Sequence, residues 1–275
     1  MGSTFRIALL LALVLASGCA LVTAPGDAPA VQTAERVAVV MLHGKPLELH
    51  VSAPRVGAGK SGVLVLYASG DGGWFGTAIG MFRHIAAAGY ATVGFSARTF
   101  LKIDRPKGSL VNPAQLTSEY RQILAAARQA LDLAPDTPVV LTGWSRGAAF
   151  AVLVASEPGA SLPLKGVVAI GLSDTEDLDV DTPEDEGDDG PTTTTRARRF
   201  APYTRLADLD SVPCVVIQAT RDQYLGAARA RTLFGPDTPT RRFYTIDANN
   251  HRFSGGEVGF RRALIDAIDW ISSAR

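Results

Sequence analysis

Cysteine is nearly missing from this chain, with Cys19 and Cys214 the only two in 275 residues. That excludes a disulfide framework, so stability has to come from a packed core. Histidine is scarce too: four copies leave few candidates for a general base. Net charge is absent, because 27 Lys and Arg balance 27 Asp and Glu. A neutral chain gives no sign of the basic face that nucleic-acid binding calls for. Long apolar runs are also wanting. The segment IALLLALVLA (7–16) has ten residues, too few to span a bilayer.

What is present is a globular composition, 47% hydrophobic and 20% charged. Arg6, the ten-residue apolar run and Ser17-Gly18-Cys19 have the order of a secretory signal, a positive end, an apolar stretch and small residues. The cysteine after "ASG" is similar to the lipobox of bacterial lipoproteins, whose cysteine becomes lipidated once the leader is cut. A signal peptide over 1–18, an anchor at Cys19 and a linker over 19–35 are therefore expected. The alternative is a plain secretory signal with Cys19 incidental. Either reading puts the domain outside the cytoplasm, as a periplasmic and, in the first, a membrane-anchored protein. Ala20, where the retention rule would need Asp, signals no holding at the inner membrane.

From residue 36 to 275 short apolar runs alternate with helical patterns. Strands are expected at 37–42, 47–51, 62–68, 91–95, 138–142, 166–172, 214–219 and 242–246. The later runs are continuously apolar, as in strands covered on both faces. Asn112-Pro113 starts a helix whose stripe runs Leu116, Tyr120, Ile123, Leu124, Ala127 and Leu131. Further helices are expected at 77–88, at 146–157 and around Leu264, Ile268 and Ile271. The alternation predicts an α/β fold, a mostly parallel sheet with helices on both faces and an antiparallel edge made by the first two strands. Residues 173–199 interrupt this order. Their first part holds ten of the 27 acidic residues, and arginines follow at 196, 198 and 199. Such a run reads as a solvated insertion. Thr182 stands where a calcium loop needs glycine, so no metal is expected there.

The chemistry centres on LTGWSRGAAF (141–150). Gly143 and Gly147 frame Ser145 where a strand gives way to a helix. A G-x-S-x-G pattern alone is weak, but this position is the one a nucleophile elbow demands. The turn crowds its neighbours, so the residues two before and two after the serine must lack bulk. A serine hydroxyl needs a base, and the base an orienting acid. The strand at 214–219 leads into Asp222 and the strand at 242–246 into His251, the order in which such sites take acid and base. Asp174 and Glu176, after the preceding strand, compete with Asp222 for the acid. The loop Ser69-Gly70-Asp71-Gly72-Gly73-Trp74 lacks the G-K-[ST] ending of a phosphate loop, so no nucleotide cofactor is expected. Its glycines instead suit an oxyanion hole, in which the N–H of Asp71 or Gly72 pairs with that of Arg146.

These residues carry a resemblance. SGDGGW (69–74), GWSRGA (143–148) and NHRFSGG (250–256) look like the VirJ/AcvB-type bacterial virulence proteins, a branch of the α/β-hydrolases, over residues from about 60 to the C-terminus. The resemblance implies the hydrolase fold, a Ser145, Asp222, His251 triad, export, a link to type IV secretion and an aminoacyl-phosphatidylglycerol substrate. Independently, an arginine adjoins each triad member: Arg146, Arg221 and Arg252. Turned inward, Arg146 and Arg252 would suit a phosphate diester, Trp74 would line the site, and Asp71 could receive an ammonium group. The expected partner is thus an ester, as an aminoacylated phospholipid. A general esterase or thioesterase, or a non-catalytic envelope protein serving secretion, remain alternatives, because fold alone does not decide function.

Overall fold

The computed structural model describes residues 35–53, 60–103, 105, 111–177 and 199–274. The leader, Cys19, most of the linker and most of the acidic insertion lie outside the described residues. Among the described residues no helix is long and apolar enough to cross a membrane.

The chain opens with β1 (Glu35–Leu42) and β2 (Lys45–Ser52), an antiparallel hairpin. Then come β3 (Lys60–Ala68), α1 (Thr77–Ala87), β4 (Tyr90–Phe95), α2 (Ala97–Leu101), α3 (Pro113–Leu131), β5 (Val139–Trp144), α4 (Arg146–Ala155) and β6 (Leu164–Ile170). A two-residue ladder of β7 (Glu176–Asp177) and β8 (Arg199–Phe200) brackets the acidic insertion. The last part holds α5 (Pro202–Arg205), β9 (Cys214–Ala219), α6 (Ala227–Phe234), β10 (Arg241–Ile246) and α7 (Glu257–Ser273). One eight-stranded sheet runs β1-β2-β4-β3-β5-β6-β9-β10. Only the pairs β1–β2 and β2–β4 are antiparallel.

Alternation along each strand explains why the central runs are apolar throughout. Leu64, Leu66, Val139, Leu141, Val167 and Val216 face one core, which α3 and α4 cover. Val63, Val65, Val140, Val168 and Val215 face the other, under α1 and α7. With both faces covered, neither parity of residue meets water. Cys214 lies in the first core, fully buried, and burial pushes its thiol up to about 12. At neutral pH it is a packing group, as an apolar strand setting dictates.

Helix α3 starts where the sequence says: the Asn112 side chain accepts from the amides of Ala114 at 2.9 Å and Gln115 at 3.1 Å. Such a cap is worth about 1 kcal/mol. Helix α4 differs in kind. Every residue from Gly147 to Ala155 is buried, because the sheet lies on one side and α3 and α5 pack on others. Strand β6 stops at Ile170 rather than continuing to 172, since Gly171 turns to φ 58°. The C-terminal helix begins earlier than its apolar stripe suggests, at Glu257, whose carboxylate accepts from the Gly255 amide at 3.0 Å. Its own backbone amide and that of Gly255 together hold the Glu257 carboxyl below its usual range.

Candidate active site

Strand β5 delivers Trp144 to the sheet's carboxyl end, and the chain then reverses into α4 through Ser145. Ser145 takes φ 57° and ψ −122°, a region L-residues avoid. The framing glycines follow from packing. A Cβ on Gly143 would sit 2.1 Å from the carbonyl of Gly147, and one on Gly147 would sit 2.2 Å from the carbonyl oxygen of Ala68. The contacting atoms are backbone, so nothing can move aside. The first-turn amides of α4 point out of the helix toward this serine, where negative charge is favoured.

The segment after β9 supplies a carboxylate. Asp222 is 6% exposed, and its Oδ2 lies 2.6 Å from His251 Nδ1. Gln218 Nε2 also donates to that oxygen at 3.0 Å, while the Tyr224 amide donates to Oδ1 at 2.9 Å. Both oxygens thus accept hydrogen bonds. Asp174 is exposed and Glu176 binds Arg146, so neither of the competing acids meets the histidine.

The loop after β10 carries His251, 5% exposed. Its ring stacks on Trp144 with centroids 5.5 Å apart and meets the Tyr224 ring edge-on at 4.9 Å. Its amide donates to Gln223 Oε1, and its carbonyl accepts from Trp144 Nε1. Gly171 makes the space for it: a Cβ there would lie 2.6 Å from His251 Cε1. Among the described residues His251 Nε2 has no hydrogen-bond partner, so the bond to Ser145 is open here. Loose bonds of this sort commonly tighten only around substrate.

Ser145 and His251 line one cleft of about 530 Å³. The loop after β3 lines the same cleft, and Gly70 comes so near that a Cβ would stand 3.1 Å from the serine Cβ. Asp71, Gly72 and Gly73, the residues expected to form an oxyanion hole, continue that lining. The remaining expectations are met unevenly. Arg252 lines the cleft, but Arg221 binds Asn249 and Asp247 away from it. Arg146 turns its Nε to two carboxylates. Asp71 Oδ1 lies 2.6 Å from its Nε and Glu176 Oε1 accepts from it at 3.0 Å. Trp74 does not line the cleft either. It stacks on His50 at 4.2 Å and lies in the space left by Gly94, where a Cβ would come 2.3 Å from the indole. The neighbouring Phe75, 58% exposed, takes the lining position instead.

Sequence reasoning also passed over Arg98, Gln218, Gln223 and Tyr224. Arg98 and Arg252 line the cleft with no ion pair among the described residues. A glycine directly after a buried strand, as at Gly171, was the one visible signal of a side chain needing room. No metal-holding group of three or more His, Cys, Asp or Glu occurs among the described residues.

The chain matches no protein-family model and no curated protein. Solved structures do match it. A putative dienelactone hydrolase from Klebsiella pneumoniae is 12% identical, with a TM-score of 0.58, over 88% of this chain and 99% of that one. The esterase domain of a Rhodothermus marinus protein is 17% identical, with a TM-score of 0.56, over 86% and 98%. An α/β serine hydrolase without lid from Xanthomonas campestris is 14% identical, with a TM-score of 0.54, over 88% and 96%. At these identities the likeness establishes the architecture, and the chain has the α/β-hydrolase fold.

Proposed function

We propose that this protein is a serine hydrolase that cleaves carboxylic esters, with Ser145 as nucleophile, His251 as base and Asp222 as the acid that orients the base. One observation carries the reading. A buried Asp222–His251 pair at 2.6 Å shares a cleft with a serine held in a strained strand-to-helix turn. Asp222 keeps the proton of the imidazole on Nδ1, which leaves Nε2 to take the proton of Ser145 Oγ. The oxygen then attacks the ester carbonyl. Negative charge develops on the carbonyl oxygen between the 70–72 loop and the amide of Arg146. The alcohol departs with the proton from His251, and water releases the acyl group by the same route in reverse.

The finer reading is an exported enzyme, anchored through Cys19 in the periplasm, acting on aminoacyl-phosphatidylglycerol beside secretion proteins. The motif resemblance supports it, and so does the cleft's chemistry. Arg98 and Arg252 suit a phosphate diester, and the exposed Phe75 and Tyr224 suit apolar chain. The named esterase and dienelactone hydrolase structures favour a second reading, a hydrolase of small soluble esters.

Lipid extracts separate the two. In a Ser145→Ala strain, aminoacyl-phosphatidylglycerol is expected to rise several-fold over the parent strain. Unchanged lipid, with p-nitrophenyl ester hydrolysis intact in the parent protein, would leave the small-ester reading standing.

A further inference from the structure

The loop after β3 that lines the cleft has the sequence Gly70-Asp71-Gly72-Gly73. Asp71 supplies the only side chain in it. A turn bond from the Gly73 amide to the Gly70 carbonyl, 3.0 Å, closes the loop on itself, and Ser69 Oγ, which accepts from the Ala97 amide, donates to that same carbonyl at 3.2 Å. Asp71 therefore adds a side-chain handle of the loop's own, beyond the bond at its first carbonyl. That handle is taken by Arg146, the residue that follows the nucleophile. Arg146 is in turn held by Glu176, whose side chain is 8% exposed. Glu176 itself is pinned through its backbone, since it pairs with Phe200 in the β7–β8 ladder. Three segments that leave the sheet separately, after β3, β5 and β6, thus meet at one guanidinium.

We infer that Glu176 is a positioning residue: through Arg146 and Asp71 it fixes the glycine-rich loop, so that the backbone donors at 71 and 146 converge on one point. The inference rests on the hydrolase reading above and adds to it. A guanidinium is suited to the task because Nε donates its one proton to Glu176 while the permanent charge lies against Asp71 Oδ1. A loop of three glycines and one aspartate has many backbone states to lose, and that contact restricts them beyond the bonds at Gly70. Donors that stray by about 1 Å from the developing oxyanion can lose on the order of 100-fold in rate.

The test compares the full chain with Glu176→Ala, Glu176→Gln and Asp71→Ala. Two quantities are read: kcat and KM on p-nitrophenyl butyrate, and affinity for an alkyl trifluoromethyl ketone. The ketone adds the serine and places an oxyanion in the hole. In Glu176→Ala, kcat is expected to fall about 10- to 100-fold with KM nearly constant. Ketone affinity should fall in step with kcat/KM, and Glu176→Gln, which keeps an acceptor for Arg146 Nε, should recover most of both. A merely structural glutamate would lower the folded fraction without separating kcat from KM. If Glu176→Ala fails to fold, Asp71→Ala reports from the exposed end of the same clamp and must show the same split. An active wild type with both alanine variants within twofold of it overturns the clamp alone. A wild type that neither hydrolyses the ester nor takes up a fluorophosphonate overturns the hydrolase reading, and the clamp with it.

Discussion

Asp222→Asn is expected to lower kcat/KM on an activated ester by about 10⁴-fold, while Asp174→Asn leaves it within twofold. The first effect corresponds to about 5 kcal/mol of transition-state stabilisation. Its cause is a count of donors. Oδ2 accepts from His251 Nδ1 and Gln218 Nε2, and Oδ1 accepts from the Tyr224 amide. An asparagine has one acceptor and one donor end. With its NH₂ at the Oδ1 place, it faces the Tyr224 N–H. With its NH₂ at the Oδ2 place, it faces the Gln218 amide and drives the proton of His251 onto Nε2. That tautomer cannot take the serine proton. Asp174 is exposed and among the described residues its side chain hydrogen-bonds only its neighbour Thr175, so its amide has no bond to the base to disturb. Steady-state kinetics on the two variants, with circular dichroism to show that both fold, checks the result.

The second large effect falls on stability. Gly147→Ala places a Cβ 2.2 Å from the Ala68 carbonyl oxygen and 2.5 Å from that of Ser69. These oxygens lie at the last residue of β3 and the one after it, so the helix must lift off the sheet or the strand must bend. Overpacking against side chains costs about 1–3 kcal/mol, and a backbone obstacle lies at or above the top of that range. The expected fall in Tm is roughly 6–12 °C. Gly80→Ala, in the middle of α1 with nothing within 4 Å of the new methyl, should gain up to about 1 kcal/mol from helix propensity. Thermal melts of the two variants side by side separate a steric requirement from a general intolerance of glycine replacement.

The fold was largely legible because local pattern and global packing agree. Continuous apolar runs of five to seven residues can be buried only in a covered sheet, and the helix start at Asn112-Pro113 is written in the cap itself. The strand-end positions of Ser145, Asp222 and His251 followed from that sheet, since side chains at the ends of its parallel strands meet at one edge. The short α2, α5 and α6 were not legible: helices of four to eight residues carry too few apolar repeats to register.

Side-chain direction was the other gap. Nothing in Ser145-Arg146 tells that the arginine turns to Asp71 and Glu176, because its partners come from loops 75 and 30 residues away. Trp74 and Phe75 are adjacent aromatics, and which one enters the cleft depends on the space left at Gly94 of a different strand. Gln218 looks like any polar residue closing a strand. Only the turn at 222–225 reveals that it braces the carboxylate.

The most direct measurement is intact-mass and peptide analysis after exposure to a fluorophosphonate. A hydroxyl made nucleophilic by an adjoining imidazole should form one phosphonyl adduct, mapped to Ser145, with the adduct absent in Ser145→Ala and its formation strongly slowed in His251→Gln. A wild-type protein that stays unmodified, or one whose adduct survives in Ser145→Ala, would contradict the account.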